Sequence, residues 1–320
     1  MGKYASARNF GFGKQLAYAG REALRAYYAD GHYGSVAAHS DRWNQFAHWA
    51  KAQGIRDLAR VDQQATLERY AAHVASRVQD QAISVQYGQN LISTVNVTLA
   101  ALRGDDRVRL SPAQAVGRRS QVRTQAPGSL DRARVSQAAT ALRAAGLGRA
   151  AAVLELARDF GVRREEAVKA DLGRWSWEAE RHGAVNVQDG TKGGRDAPRW
   201  VPMTDQGRET LASALATRPA GSPNLIAPHE TYAQLAIARE SELNRAREIL
   251  QAHGLPGYHD ARAAYACSRY QTLTGRASPV VSGQRPTATE RESDRSARQV
   301  IAEELGHGRL DVVAAYIGGR

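Results

Sequence analysis

Apolar side chains recur every three or four positions through much of this chain, which is the spacing of amphipathic helices. Trp43, Phe46, Ala47 and Ala50 share one such face, and Gly54 follows as a stop signal. Leu67, Tyr70, Ala71, Val74 and Val78 make a second stripe, and Ile92, Val95, Leu99 and Leu102 a third. Together they predict a small all-helical domain whose aromatic residues belong to its core. Ahead of it, residues 1–29 carry Lys3, Arg8, Lys14, Arg21 and Arg25, and read equally as a basic arm or as a first helix with a solvated face.

Beyond Leu102 the periodicity lapses. Arg103, Arg107, Arg109, Arg118, Arg119 and Arg123 stand among Asp, Ser, Pro and Gly, and Ala126-Pro127-Gly128-Ser129 is a strong breaker. The expected organisation is a helical domain over 30–125, a linker over 126–130 and a second domain over 131–320. The six arginines are candidate contacts to a nucleic-acid backbone, and an exposed tether explains them equally well.

In the second domain, helical spacing runs to Phe160. Two short runs, Ala184 to Val187 and Arg199 to Val201, flank a turn rich in glycine and charge and predict one small antiparallel sheet. Helical patterns return over Gln206 to Ala216, Glu230 to Ala252, His259 to Leu273, Ala297 to Leu305 and Leu310 to Tyr316. Between the last stretches, Gly275 to Arg295 is polar, holds Pro279 and Pro286, and reads as an exposed loop. The fold class is therefore mainly α.

Charge adds a partner. Lys and Arg number 44 against 32 Asp and Glu, a formal charge of +12. That surplus favours a polyanion, because each neutralised phosphate releases condensed counterions. With 42% hydrophobic residues, wholesale disorder is excluded. No run of 18 apolar residues occurs, so no membrane partner is expected, and Met1 to Asn9 lacks the apolar core of a signal peptide. The single cysteine, Cys267, allows no intramolecular disulfide and no thiolate cluster for zinc, and reads as a small core residue. All this points to the cytoplasm.

Phosphate-cradling loops and zinc-protease motifs are missing. What stands out is an ordered set in the second domain. Gly161-Val162-Arg163-Arg164-Glu165-Glu166 opens a helix, and Thr191-Lys192-Gly193-Gly194 sits in the turn between the strands. His259 and Arg262, three apart, share a helix face. Leu305-Gly306-His307 precedes Tyr316 by nine positions, a spacing counted from His307. Each motif alone is weak, but the set in order resembles the catalytic boxes of the tyrosine recombinases (integrases). Arg163 and Glu166 fit the Gly-Leu-Arg-x-x-Glu box, Lys192 the hairpin lysine, His259 and Arg262 the His-x-x-Arg pair, and His307 and Tyr316 the last box. The helical first domain is similar to that family's core-binding domain by pattern.

The resemblance implies a mechanism. Displacing an oxygen from a phosphodiester spreads negative charge over the non-bridging oxygens, which two guanidinium forks, Arg163 and Arg262, would hold. Tyr316 would be the nucleophile and Lys192 the acid that protonates the leaving 5′-oxygen. His259 would assist proton transfer or donate to the phosphate, and His307 would bond a non-bridging oxygen. Glu166 would serve as a structural partner. A 3′-phosphotyrosyl intermediate would conserve the energy of the broken strand, so no cofactor, metal or ATP is expected. The resemblance also implies double-stranded DNA with inverted half-sites, a homotetramer on DNA, an accessory directionality factor, a mobile-element setting and association with the nucleoid. The alternatives are strand relaxation of the type IB topoisomerase kind, or a DNA-binding regulator that keeps the fold without turnover.

Overall fold

The computed structural model describes residues 8–191 and 197–319. The chain divides into two units, Met1–Ser120 and Gln121–Arg320. Among the described residues, no helix is long and apolar enough to cross a membrane.

The first unit comprises α1 (Leu16–Tyr28), α2 (Tyr33–Ala52), α3 (Gln63–Gln79), α4 (Val85–Arg103) and α5 (Pro112–Val116). Local chemistry sets several of these limits. Asp62, Ser84 and Ser111 each accept an otherwise orphaned N–H of the first turn, from Ala65, Tyr87 and Gln114, and Gly104 ends α4 in the left-handed region. The three stripes read from the sequence meet in the core, with Val78 at its edge. Residues 16–28 settle the ambiguity of the N-terminal region in favour of a helix, because Leu16, Ala19 and Ala23 belong to the same core. A Cβ on Gly20 would lie 1.9 Å from the Trp43 indole nitrogen, so glycine is what lets α1 approach α2. That indole donates to the Leu16 carbonyl at 2.8 Å. The domain start expected at residue 30 therefore moves ahead of α1.

The second unit comprises α6 (Arg132–Ala144), α7 (Gly148–Phe160), α8 (Arg164–Lys169), α9 (Leu172–His182), β1 (Ala184–Asn186), β2 (Trp200–Pro202), α10 (Asp205–Thr217), α11 (Tyr232–Ala236), α12 (Glu242–Ala252), α13 (Tyr258–Thr274), α14 (Pro279–Ser282), α15 (Arg291–Glu304) and α16 (Ala314–Ile317). The strands pair antiparallel with Val185 opposite Val201. Helices α7 and α13 carry runs of buried alanine, including Ala150 to Ala152 and Ala263, Ala264 and Ala266, and form the unit's centre.

Three expectations are corrected. Ser129 lies in no exposed linker: its N–H and hydroxyl both donate to Asp260, at 2.9 Å each. The segment Gly275 to Arg295 is not an open loop, since it forms α14 and the start of α15 and buries Ser278, Pro279 and Asp294. The run from Glu230 to Ala252 is broken, so Tyr232 lies in a five-residue helix rather than a long one. At the break, Asn244 turns its side-chain amide onto the Ile237 and Ala238 carbonyls.

Candidate active site

Five of the six expected catalytic side chains, and Glu166 with them, come together near the turn between α7 and α8. That turn begins at Gly161, which adopts φ +61° and whose absent Cβ would overlap the Tyr265 ring. Arg163 follows as the N-cap of α8. Its backbone N–H donates to Glu166 Oε2 at 2.7 Å and its guanidinium to Oε1 at 2.5 Å. Glu166 is fully buried and also meets Arg199 at 2.8 Å and Arg262 at 3.5 Å. Burial alone would raise the Glu166 carboxyl, but Arg199, Arg262 and the bonds from Arg163 outweigh it and hold the group below the usual range.

Arg262, in the first turns of α13, has no exposure to solvent. Its guanidinium donates to the Gly161 and Leu305 carbonyls, lies 3.3 Å from His307 Nε2, and points Nε at the Tyr316 hydroxyl, also at 3.3 Å. Burial lowers its pKa to about 10, which still leaves it charged at neutral pH.

His307 follows α15 through Gly306, which adopts φ +66°. Its Nε2 stands 3.0 Å from the Tyr316 hydroxyl. Burial, then Arg262, Arg163 and Arg199, push the imidazole down to about 3, so it is neutral at physiological pH. Arginine has only hydrogens to offer, so the contact with Arg262 assigns Nε2 as the acceptor nitrogen, and the Tyr316 hydroxyl then donates to it. His259, one turn before Arg262, keeps a solvent-facing edge with its ring centroid 5.3 Å from that of Tyr316. Partial burial and the cations Arg262, Arg123 and Arg163 lower its pKa.

Tyr316 lies on α16 and is 4% exposed. The helix is held at both ends. The Arg123 N–H donates to the Ala314 carbonyl at 2.9 Å, and Arg298 donates to the Gly318 and Gly319 carbonyls at 3.1 Å each. In front of Tyr316 opens a cleft of about 960 Å³, lined by Arg163, Glu166, Arg199, His307 and Arg309 among others. Lys192 lies outside the described residues. The two flanks of its turn, Thr191 and Ala197, line the same cleft. Among the described residues no group of three or more His, Cys, Asp or Glu side chains could hold a metal ion.

The arginines expected to track phosphates divide. Arg103 pairs with Asp105 and Gln63, and Arg123 with Asp260, and both side chains are only partly exposed. Arg107, Arg118 and Arg119 are exposed, and Arg109 is exposed beside Asp106 at 3.8 Å. Sequence reasoning missed Arg199 as a site residue. The signal was present: strand alternation sends Trp200 outward and puts Arg199 on the buried side with Val201.

Residues 118–268 match the family model described as Integrase. No curated protein sequence matches the chain. Among solved structures, the fold is similar to the XerH site-specific recombinase bound to palindromic difH substrate in a post-cleavage complex. That match has 14% identity and a TM-score of 0.55, covering 94% of this chain and 80% of that one. It is also similar to a lambda integrase dimer bound to a COC′ core site, at 13% identity and a TM-score of 0.54 over 93% of each chain. The matched segment carries Arg163, Glu166, His259 and Arg262, and the fold of the chain is that of these recombinase and integrase structures.

Proposed function

We propose that this protein is a site-specific DNA recombinase in which Tyr316 attacks a phosphodiester and becomes linked to the 3′ end of the cut strand. The observation that carries the reading is the shared contact of the Tyr316 hydroxyl with His307 Nε2 at 3.0 Å and Arg262 Nε at 3.3 Å. A phenol in this setting has an acceptor for its proton and a cation for the charge it develops.

The partner is double-stranded DNA, a reading supported by the family's structures with DNA and by the basic balance of the chain. A phosphate entering the cleft meets Arg163 first, because that side chain is 27% exposed while Arg262 is sealed. As the phosphate seats, Arg262 Nε transfers its bond from the phenol to a non-bridging oxygen, while His307 Nε2 goes on accepting the phenol hydrogen and can donate to a non-bridging oxygen only after taking that proton up. The Tyr316 oxygen then forms the new P–O bond and its proton passes to a neighbouring imidazole, His307 or His259. The bond to the 5′-oxygen breaks, and Lys192 supplies the proton that the leaving oxygen needs. Charge on the phosphoryl oxygens is carried by the two arginines, and the phosphotyrosyl bond conserves the energy of the broken strand, so rejoining calls for no nucleotide triphosphate. A second 5′-hydroxyl reverses the chemistry on a new partner strand. Exchange between two duplexes calls for inverted half-sites and four protomers, and a directionality factor would bias its outcome.

The test is a nicked DNA carrying the candidate site, incubated with the protein and resolved by denaturing electrophoresis. The expected result is a protein–DNA adduct that vanishes in Tyr316→Phe while DNA binding persists. Tight, specific binding without an adduct would instead favour a regulator. Adduct formation with relaxation of a single duplex and no exchange would favour topoisomerase-like action.

A further inference from the structure

Arg199 is a buried charge for which the mechanism above has no use. Its side chain is 5% exposed, and a guanidinium so far from water is tolerated only when its hydrogens find acceptors. Here two nitrogens donate to backbone carbonyls and the third stands in an ion pair, out of hydrogen-bond alignment, on three separate segments. Nε donates to the Glu304 carbonyl at 2.7 Å, Nη2 reaches the Gly161 carbonyl at 3.4 Å, and Nη1 pairs with Glu166 at 2.8 Å. Each acceptor adjoins a residue of the site. Gly161 begins the turn that carries Arg163, Glu304 ends the helix that leads to His307, and Glu166 binds Arg163 and Arg262.

The backbone of Arg199 is itself fixed to the sheet. Its N–H donates to the Asn186 side chain at 2.8 Å and its carbonyl accepts from Val187 at 2.9 Å. On the other side, a Cβ on Gly306 would fall 3.1 Å from Arg199 Cδ, so the loop bearing His307 rests on this side chain. Glu304 is in turn held by Tyr265 at 2.8 Å and by Arg269.

We propose that Arg199 is a positioning residue for strand cleavage: its fork locks the turn before α8, the end of α15 and the Glu166 carboxylate into one bracket that sets Arg163, Arg262 and His307 against Tyr316. The inference rests on the recombinase reading given above. Arg199 lies 5% exposed at the wall of the cleft and acts through these residues. A lysine keeps the charge but, with one nitrogen, cannot reach all three segments at once.

The test compares the full chain with Arg199→Met and Arg199→Lys by three measurements: DNA affinity, single-turnover adduct formation on nicked site DNA, and NMR titration of the His307 ring. The charged groups that face this ring are Arg262 from α13, Arg163 and Glu166 from the α8 turn, Tyr316 from α16, and Arg199. DNA affinity is expected to stay within about threefold. Adduct formation is expected to fall about 100-fold in Arg199→Met, the scale of loss for a site misplaced by about an ångström, and at least about tenfold in Arg199→Lys. His307 is expected to titrate at higher pH in Arg199→Met and to be unmoved in Arg199→Lys, where the charge remains. Should Arg199→Met fail to fold, Arg199→Lys decides alone: a rate equal to wild type would overturn the proposal. So would wild-type rates in both variants, or a His307 titration unmoved in Arg199→Met. A wild-type protein that binds its site and forms no adduct would sink the recombinase reading instead. The His307 titration of the DNA-free proteins would still judge Arg199.

Discussion

At the centre of the first unit, the Phe46 ring lies 4.7 Å from that of Trp43 and meets Tyr70 edge-on at 5.0 Å. At the centre of the second unit's cleft, one buried carboxylate gathers three guanidiniums. The aromatic cluster is made of groups that gain by leaving water, and its exact partners matter less than its volume. The ionic cluster gains little net free energy from burial, since desolvation offsets most of the attraction. What it supplies is direction, because each fork accepts only certain angles. The first arrangement holds a domain together, and the second fixes the directions in which side chains point.

Four substitutions or conditions would break or sharpen that contrast. Glu166→Ala leaves two buried guanidiniums, Arg199 and Arg262, and the part-exposed Arg163 without their counter-charge. It should destabilise the second unit by about 3–5 kcal/mol and remove adduct formation as well, seen by calorimetry and the nicked-DNA assay together. Phe46→Ala should cost the first unit a similar amount, about 3–5 kcal/mol, as lost transfer energy and a cavity. The melting transition of the second unit should then stay where it was, and a shift there of more than a degree or two would refute the separation. Asp62→Ala removes a helix cap in the first unit and should cost only about 1 kcal/mol, measurable by urea unfolding.

Acid should also discriminate between the units. The unfolded chain protonates His307 near the ordinary value of about 6.5, whereas the folded chain keeps it neutral down to about 3. Between those values only the unfolded state takes the proton, so stability falls as pH drops. His259 is shifted in the same direction, and the depressed Glu166 carboxyl adds its own loss as pH falls through its folded value. The first unit has His39, lowered by burial and Arg42, working the same way without so large a shift. The second unit should therefore melt earlier on acidification, and His307→Gln should reduce that sensitivity. Equal acid sensitivity in both units would contradict the assignment.

Local chemistry made much of this legible. The helical stripes of the first unit, the two short strands and the three-residue step from His259 to Arg262 are short-range patterns, and each governs a single element. The set Arg163, His259, Arg262, His307 and Tyr316 could be listed because its members have recognisable neighbours. Their convergence on Glu166 was not legible, since it needs α8, α13 and the segment before β2 to meet. Arg199 reaches Glu304 across 105 positions, and Arg123 reaches Asp260 across 137. Nothing in a local window announces such pairings. The same holds for Ser129: a breaker sequence says where a helix stops, and says nothing of whether the chain that follows is docked.

The clasped position of α16 gives the molecule a built-in gauge. Cys267, on the buried side of α13, lies with its sulfur 3.7 Å from the backbone carbonyl of Tyr316. Burial raises the thiol to about 11, so while α16 is seated the sulfur is both shielded and protonated. Its reaction with an alkylating reagent requires that packing to open. The rate at which such a reagent consumes this single thiol is thus a clock for openings of the contacts between α13 and its neighbours, α16 among them, readable without any DNA being cut.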